Sequence, residues 1–429
     1  MSLFADLRWR GLIHQTTDDE HLPAWLEGGA RTLYAGFDPT AESLHVGSLL
    51  PLLTLRRFQK AGHKPIALVG GATGMIGDPS GKSEERNLQT AETIERNVAG
   101  MRLQMERLLD FSPGPRQALL LNNFDWTAPW SYLDFLREVG KSFPVSAMLA
   151  KDSVKSRLGR DDVGISYTEF SYMLLQAYDF VYLNERYDCA LQVGGSDQWG
   201  NITAGIELGR RTRSAQLYGI TFPLLTKSDG TKMGKTESGA VWLSAERTSP
   251  YQFYQYWINV DDAEAGRCLR MLTELSREEI EDLDRDRTAR PEARQSQRRL
   301  AEELTRLIHG EEGLHTAQRA TEIFFGAEIT DLDDRQLLGI FADVPSADVP
   351  RARVAGEGIG ILDAFVEAGL AKSKGEARRT VQQGGAYVNN RRVDSVDCVL
   401  TTADLAGEST IVLRSGKKKY ALLRLASGD

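Results

Sequence analysis

The chain has 429 residues, too many for one hydrophobic core, so two or three domains are expected. Hydrophobic residues make up 41% and charged residues 26%, and no run approaches the roughly 18 apolar residues that a membrane-spanning helix needs. The net charge of −8 speaks against nucleic acid only until it is divided, because residues 351–429 hold 13 Lys/Arg against 9 Asp/Glu, a net of +4, on a body that carries −12. Cys189, Cys268 and Cys398 are too far apart for a paired-cysteine metal site and the six histidines are scattered, so no protein-held metal is expected. Residues 1–10 are amphipathic, contain Asp6 and lead into no apolar run, which argues against a signal peptide. With the odd cysteine count, this points to the cytoplasm.

From residue 31 to about 225, short apolar runs alternate with longer helical patterns. Residues 33–36 read as a strand, and Val46, Leu49, Leu50 and Leu53 then mark one face of a helix over 46–61. His45 and Gly47 fall where strand turns into helix, and the free N–H groups and dipole of a helix N-terminus favour phosphate. A second strand, 64–69, ends in the glycine-rich run Gly70 to Asp78. A helix over 91–109 and a strand over 117–121 follow. Tyr172 and Gln176 stand four apart and converge on one helix face, among the apolar Met173, Leu174 and Leu175. A strand over 191–194 runs into Gly194-Gly195-Ser196-Asp197-Gln198-Trp199-Gly200-Asn201, whose small residues let a ligand approach the backbone. The alternation predicts an α/β, Rossmann-like domain over 1–225, a parallel doubly wound sheet with ligands at the C-terminal strand ends.

Residues 226–248 read as a mobile loop and connector. The turn Ser228-Asp229-Gly230 precedes Lys232, Lys235 and Thr236, two cations and a hydroxyl able to close on a triphosphate and follow the charge of departing pyrophosphate. After Pro250 glycine is sparse, and Leu300, Leu304, Leu307 and Ile308 mark an amphipathic helix, so 249–325 is expected to be a helical domain. Residues 326–357, with acids, prolines and small residues, read as a linker. From 358 to 429 a small α+β domain is expected: Ser373 and Glu376 form a capping box for a helix over 377–383, and 386–388 with 391–393 form a hairpin around Asn389-Asn390. Lys372, Lys374, Arg378, Arg379, Arg391, Arg392, Lys417, Lys418 and Lys419 fit phosphate contact with structured RNA.

His45-Val46-Gly47-Ser48 and Lys232-Met233-Gly234-Lys235-Thr236 resemble the HIGH and KMSKS signatures of class I aminoacyl-tRNA synthetases. Between them, Tyr34 to Thr40, Gly70 to Ser80, Tyr172 to Gln176 and Gly194 to Asn201 resemble the bacterial tyrosyl-tRNA synthetase family, in order and over nearly the whole chain. The resemblance implies activation of L-tyrosine with ATP to tyrosyl-adenylate and pyrophosphate, then transfer to the 3′ end of tRNA(Tyr). It implies that Tyr34 and Asp179 bond the substrate phenol, that Asp78, Tyr172 and Gln176 cradle its α-ammonium, and that Gln198 meets its carboxyl group. Gly36, Asp38, His45, Gly47, Ser48, Gly195, Asp197 and Lys235 would bind ATP. Thr40 and His45 would reach the γ-phosphate, while Lys82, Arg86, Lys232, Lys235 and Thr236 would hold pyrophosphate. Mg²⁺ is expected with the ATP, carried mainly by its phosphates.

The same resemblance implies anticodon recognition by 249–325 and a homodimer joined through the catalytic domain, for which 130–148 is an apolar candidate. The C-terminal module resembles the RNA-binding domain named after a small-subunit ribosomal protein. Two positions depart from the family pattern: Ser48 stands where His or Asn is common, and Gly234 with Thr236 varies the second signature. A tryptophanyl enzyme is the alternative of the same class, though Tyr34 with Asp179 suits a phenol better than an indole. An RNA-binding scaffold with a retired site is the alternative of a different class, and the loop lysines oppose it.

Overall fold

The computed structural model describes residues 2–80, 89–151, 154–155, 164–236, 239–330, 332–341 and 344–426. Its contacts divide the chain into two units, Met1–Arg247 with Ile258–Leu300, and Thr248–Trp257 with Ala301–Asp429.

The first unit is built on a six-stranded sheet of β1 (Gln15–Thr16), β2 (Thr32–Phe37), β3 (Lys64–Val69), β4 (Leu119–Asn122), β5 (Cys189–Gly195) and β6 (Tyr218–Phe222). Their order is β1-β6-β5-β2-β3-β4, parallel throughout except for the antiparallel edge β1. Strands buried on both faces need continuous apolar runs, and β3 buries every residue after Lys64. Helix Val46–Lys60 buries Leu49, Leu50 and Leu53, the stripe read from the sequence. Helix Tyr167–Tyr187 is capped by the Ser166 hydroxyl, which accepts from the Glu169 N–H at 3.2 Å. Strands β1 and β6 lay outside the four read from the sequence.

The chain passes from β2 outward to β3 and β4 on one side, and from β5 to β6 on the other. The strand order therefore reverses between β2 and β5, where open α/β sheets bind ligands. Pairing between these two strands stops at Tyr34 opposite Gln192, although β2 runs on to Phe37 and β5 to Gly195. They separate there, and a crevice opens at their C-terminal ends.

The helical region expected at 249–325 is not one piece. Residues 258–300 belong with the sheet, because buried arginines bind them to it. The Arg10 guanidinium donates to the carbonyl oxygens of Arg270, Thr273 and Leu275 at 3.1, 3.2 and 2.8 Å, and Arg57 donates to Thr273 at 2.6 Å. Glu274 pairs with Arg56 at 2.8 Å and Lys60 at 2.6 Å.

The second unit carries a five-stranded sheet in the order Arg391–Arg392, Ala386–Val388, Thr410–Ser415, Lys419–Ala426, Ser346–Pro350. One face packs Ile411, Leu413, Ala421 and Leu423 on Ile361, Phe365, Ala377 and Val381. The other packs Val412, Tyr420 and Leu422 on Ile323, Leu337, Ile340 and Phe341. Residues 326–357, expected as a linker, thus include the helix Asp334–Ile340, the edge strand Ser346–Pro350 and the helix Arg351–Ala355. The misreading has a physical cause: an edge strand carries acids, prolines and small residues to discourage further pairing, and a linker has the same composition. The helix after Ser373 runs Lys374–Gln382, three residues earlier than expected, and Glu376 reaches the N–H of Lys372 at 2.8 Å rather than that of Ser373. Among the described residues no helix is long and apolar enough to cross a membrane.

Candidate active site

The crevice between β2 and β5 opens into a cavity of about 650 Å³. Its inner end is set by the last paired residues of the two strands. Tyr34 is fully buried, and among the described residues its hydroxyl has no hydrogen-bond partner. Gln192, directly across, is 2% exposed, and its Oε1 is likewise unpartnered. Asp179, seven residues along the helix from Tyr172, accepts from Trp126 Nε1 at 2.8 Å and from Asn123 Nδ2 at 3.0 Å. Burial pushes the Asp179 carboxyl up to about 7 against those two hydrogen bonds, and burial also raises Tyr34, with Asp179 adding to the effect. This end therefore offers an unfilled hydroxyl and a carboxyl held near neutrality.

The middle of the cavity is a hydrogen-bonded polar cluster. Gln198 Nε2 donates to Asp78 Oδ2 at 2.7 Å, and Gln198 Oε1 accepts from Gln176 at 3.3 Å and Asn201 at 3.2 Å. Tyr172 and Gln176 line this wall from one helix face. Two glycines here lie where carboxylate tips crowd the backbone. A Cβ on Gly70 would meet Asp38 Oδ1 at 2.7 Å, and one on Gly195 would meet Asp197 Oδ1 at 2.6 Å.

The outer end brings the two signature segments together. His45 caps the helix Val46–Lys60 with Nδ1 accepting from the Gly47 N–H at 3.0 Å, and a Cβ on Gly47 would strike that ring. Val241 joins the segments: its carbonyl accepts from the Val46 N–H at 2.9 Å and its N–H donates to the Gly234 carbonyl at 2.8 Å. Gly36, Asp38, Thr40, Ser48 and Lys232 complete the lining. Burial raises the Asp197 carboxyl, and the Lys232 cation opposes the shift.

Fifteen of the residues singled out from the sequence thus border one cavity: Tyr34, Gly36, Asp38, Thr40, His45, Gly47, Ser48, Asp78, Tyr172, Gln176, Asp179, Gly195, Asp197, Gln198 and Lys232. Lys82 and Arg86 lie outside the described residues, and Lys235–Thr236 forms a short strand with Gly239–Ala240. The basic residues of the tail belong to the second unit. There Lys372, Lys374, Arg378, Arg379, Arg391, Arg392, Lys417, Lys418 and Lys419 are all exposed. Asn123, Trp126 and Gln192 were not anticipated. Their available signals were a polar residue inside an apolar strand, for Gln192, and the pair Asn122-Asn123 where β4 ends.

Residues 27–326 match the family described as tRNA synthetases class I (W and Y), and residues 340–423 match the tyrosine–tRNA ligase SYY-like C-terminal domain. The tyrosine–tRNA ligase of Rhodopirellula baltica is 61% identical over 424 residues, 99% of this chain and 96% of that protein. That of Geobacillus stearothermophilus is 51% identical over 432 residues, 99% of this chain and all of that protein. Among solved structures, the C-terminally truncated mitochondrial tyrosyl-tRNA synthetase of Coccidioides posadasii superposes with a TM-score of 0.65 at 32% identity, covering 74% of this chain and 91% of that one. The chain belongs to the class I aminoacyl-tRNA synthetases, in the group that joins the tryptophan and tyrosine members. Within that group its family is the tyrosine–tRNA ligases, shared over both the sheet-bearing body and the C-terminal domain.

Proposed function

We propose that the cavity activates L-tyrosine with ATP, forming tyrosyl-adenylate and pyrophosphate, and that the chain then transfers the tyrosyl group to tRNA(Tyr). The observation that carries the reading is the unpartnered Tyr34 hydroxyl beside Asp179 at the buried end of the cavity. A phenol reaching this end gives Tyr34 its missing partner and meets the Asp179 carboxyl, whereas phenylalanine leaves the buried Tyr34 hydroxyl unmatched.

With the ring there, the α-ammonium falls to Asp78, Tyr172 and Gln176, where a carboxylate with neutral hydrogen-bonding groups suits a cation. Gln198 takes the carboxyl group. ATP lies across Gly36, Asp38, Gly47, Ser48, Gly195 and Asp197, with Lys235 at its phosphates. No side chain needs to move a proton: the tyrosine carboxylate attacks the α-phosphorus as pyrophosphate departs, so positioning and placed charge do the chemistry. Thr40 and His45 act at the γ-phosphate end, and Lys82, Arg86, Lys232, Lys235 and Thr236 hold the departing pyrophosphate. Mg²⁺ enters as part of the ATP complex, held chiefly by phosphates. In this reading 1–225 is the catalytic body, 226–248 the loop that closes on the nucleotide, and 358–429 the tRNA-binding module.

Two further assignments belong to the same reading. Tyr132, Leu133, Val145 and Tyr167 are 60–71% exposed, and burying such large apolar side chains against a second copy supports a homodimer through the catalytic body. Cys189, Cys268 and Cys398 are free thiols, in keeping with a reducing cytoplasm. The test is exchange of labelled pyrophosphate into ATP. It should require tyrosine and fail with phenylalanine or tryptophan; exchange driven equally by tryptophan would overturn the assignment.

A further inference from the structure

The basic tail offers cations for phosphate, but its sheet carries a second feature that phosphate contact does not explain. Residues opposite one another in antiparallel strands point to the same face. Tyr387 stands opposite Arg392 on one side and Arg414 on the other, and Arg414 stands opposite Tyr420. Arg392, Tyr387, Arg414 and Tyr420 therefore form one alternating row across four strands. Exposure grades along it: Tyr420 is 3% exposed, Arg414 8%, Tyr387 half-buried and Arg392 open to solvent.

Arg414 is the unusual member. Its guanidinium lies 3.8 Å from the centroid of the Tyr387 ring and 5.8 Å from that of Tyr420. Nη1 donates to the Tyr420 hydroxyl at 3.3 Å, Nε has no hydrogen-bond partner, and no carboxylate among the described residues pairs with it. A buried cation stacked between tyrosines and left without an anion makes that end of the sheet positive. Phe325, 87% exposed, is the most exposed large hydrophobic side chain among the described residues, and the chain brings it next to this arginine. The next residue, Gly326, abuts the guanidinium, where a Cβ would lie 3.7 Å from Nη1.

We propose that Phe325 and Tyr387 are a stacking platform for unpaired nucleotides of the tRNA, made cationic by Arg414. The proposal rests on the reading of the tail as a tRNA-binding module and adds its mode of contact. A duplex hides the faces of its bases and offers phosphates, which cations alone can hold. An unpaired base offers a π-face, and aromatic side chains backed by arginine are what binds one.

The test uses the full-length chain and tRNA(Tyr) transcribed in vitro, with the dissociation constant measured across salt concentrations. Phe325 is too exposed for its loss to disturb folding, so Phe325→Ala is the decisive variant. It and Tyr387→Ala should each weaken binding roughly 5- to 150-fold, the range for one lost stack, with the salt slope unchanged. Tyr387→Phe should keep wild-type affinity. Lys417→Ala, by contrast, should lower the slope by about one. A tryptophan placed by Phe325→Trp should be quenched by tRNA(Tyr) and not by duplex RNA. Wild-type affinity in Phe325→Ala, or no quenching, overturns the platform and leaves the exposed aromatic as a protein contact. Absence of salt-dependent tRNA binding by the unaltered chain overturns the module and the platform together.

Discussion

Gly234 lies so close to Val46 that a Cβ built on it would sit 2.9 Å from the Cβ of Val46, and its φ of +81° is one that other residues adopt only under strain. The departure from the common second signature is therefore matched to the helix that begins at the first. Gly234→Ala should slow adenylate formation by about 5- to 30-fold, the equivalent of 1–2 kcal/mol of local strain, with little change in global unfolding. Single-turnover adenylate formation at saturating substrates checks this, and an unchanged rate would show that the loop acts from another conformation.

Tyr34→Phe removes a hydroxyl that, among the described residues, has no partner at the buried end of the cavity. Tyrosine activation should survive, while the ratio of kcat/KM for tyrosine over phenylalanine falls by about tenfold, the worth of one buried hydrogen bond. A variant with the wild-type ratio would place the substrate ring elsewhere.

Asp179 gives the protein a pH dependence with a definite sign. Its folded value near 7 stands above the ordinary 3.8, so between those values the folded chain keeps a proton that the unfolded chain releases. Stability from this group is complete at low pH and is lost as the pH rises to about 7. Thermal unfolding of wild type and Asp179→Asn should show the wild type losing ground from pH 5 to 7, with a constant difference above about 8. A difference that does not vary with pH contradicts a raised carboxyl.

Lys235→Ala tests the placed-charge argument. Removing a cation that acts on departing pyrophosphate should lower the rate of adenylate formation by about 10²-fold and leave the tyrosine dissociation constant nearly unchanged. Equal losses in both would make Lys235 a binding residue only.

Much of this was legible in the sequence because the site is built from short contiguous segments at strand ends. The glycines at 70 and 195, the helix start at 45–47 and the pair Tyr172 and Gln176 each announce themselves by spacing. The residues that orient Asp179 do not. Asn123 and Trp126 come from beyond β4 and meet Asp179 only because the sheet brings position 123 beside position 179. Gln192 did carry a signal, a polar side chain inside an apolar strand, but a single one that does not say which face it turns to a ligand. The edge strand at 346–350 is not legible locally because its partner lies some 75 residues later, and local composition carries no trace of that pairing.

That pairing also sets an order of events in synthesis. Lys419–Ala426 is the most C-terminal element described, yet it lies inside its sheet, between Thr410–Ser415 and Ser346–Pro350. Every residue that borders the adenylate cavity has left the ribosome long before this strand emerges. The sheet that carries Tyr387 and Arg414 must wait for it, its parallel edge unpaired in the meantime. A ribosome that stops a dozen codons short thus releases a chain that holds every residue bordering the cavity but leaves the second sheet without its inner strand.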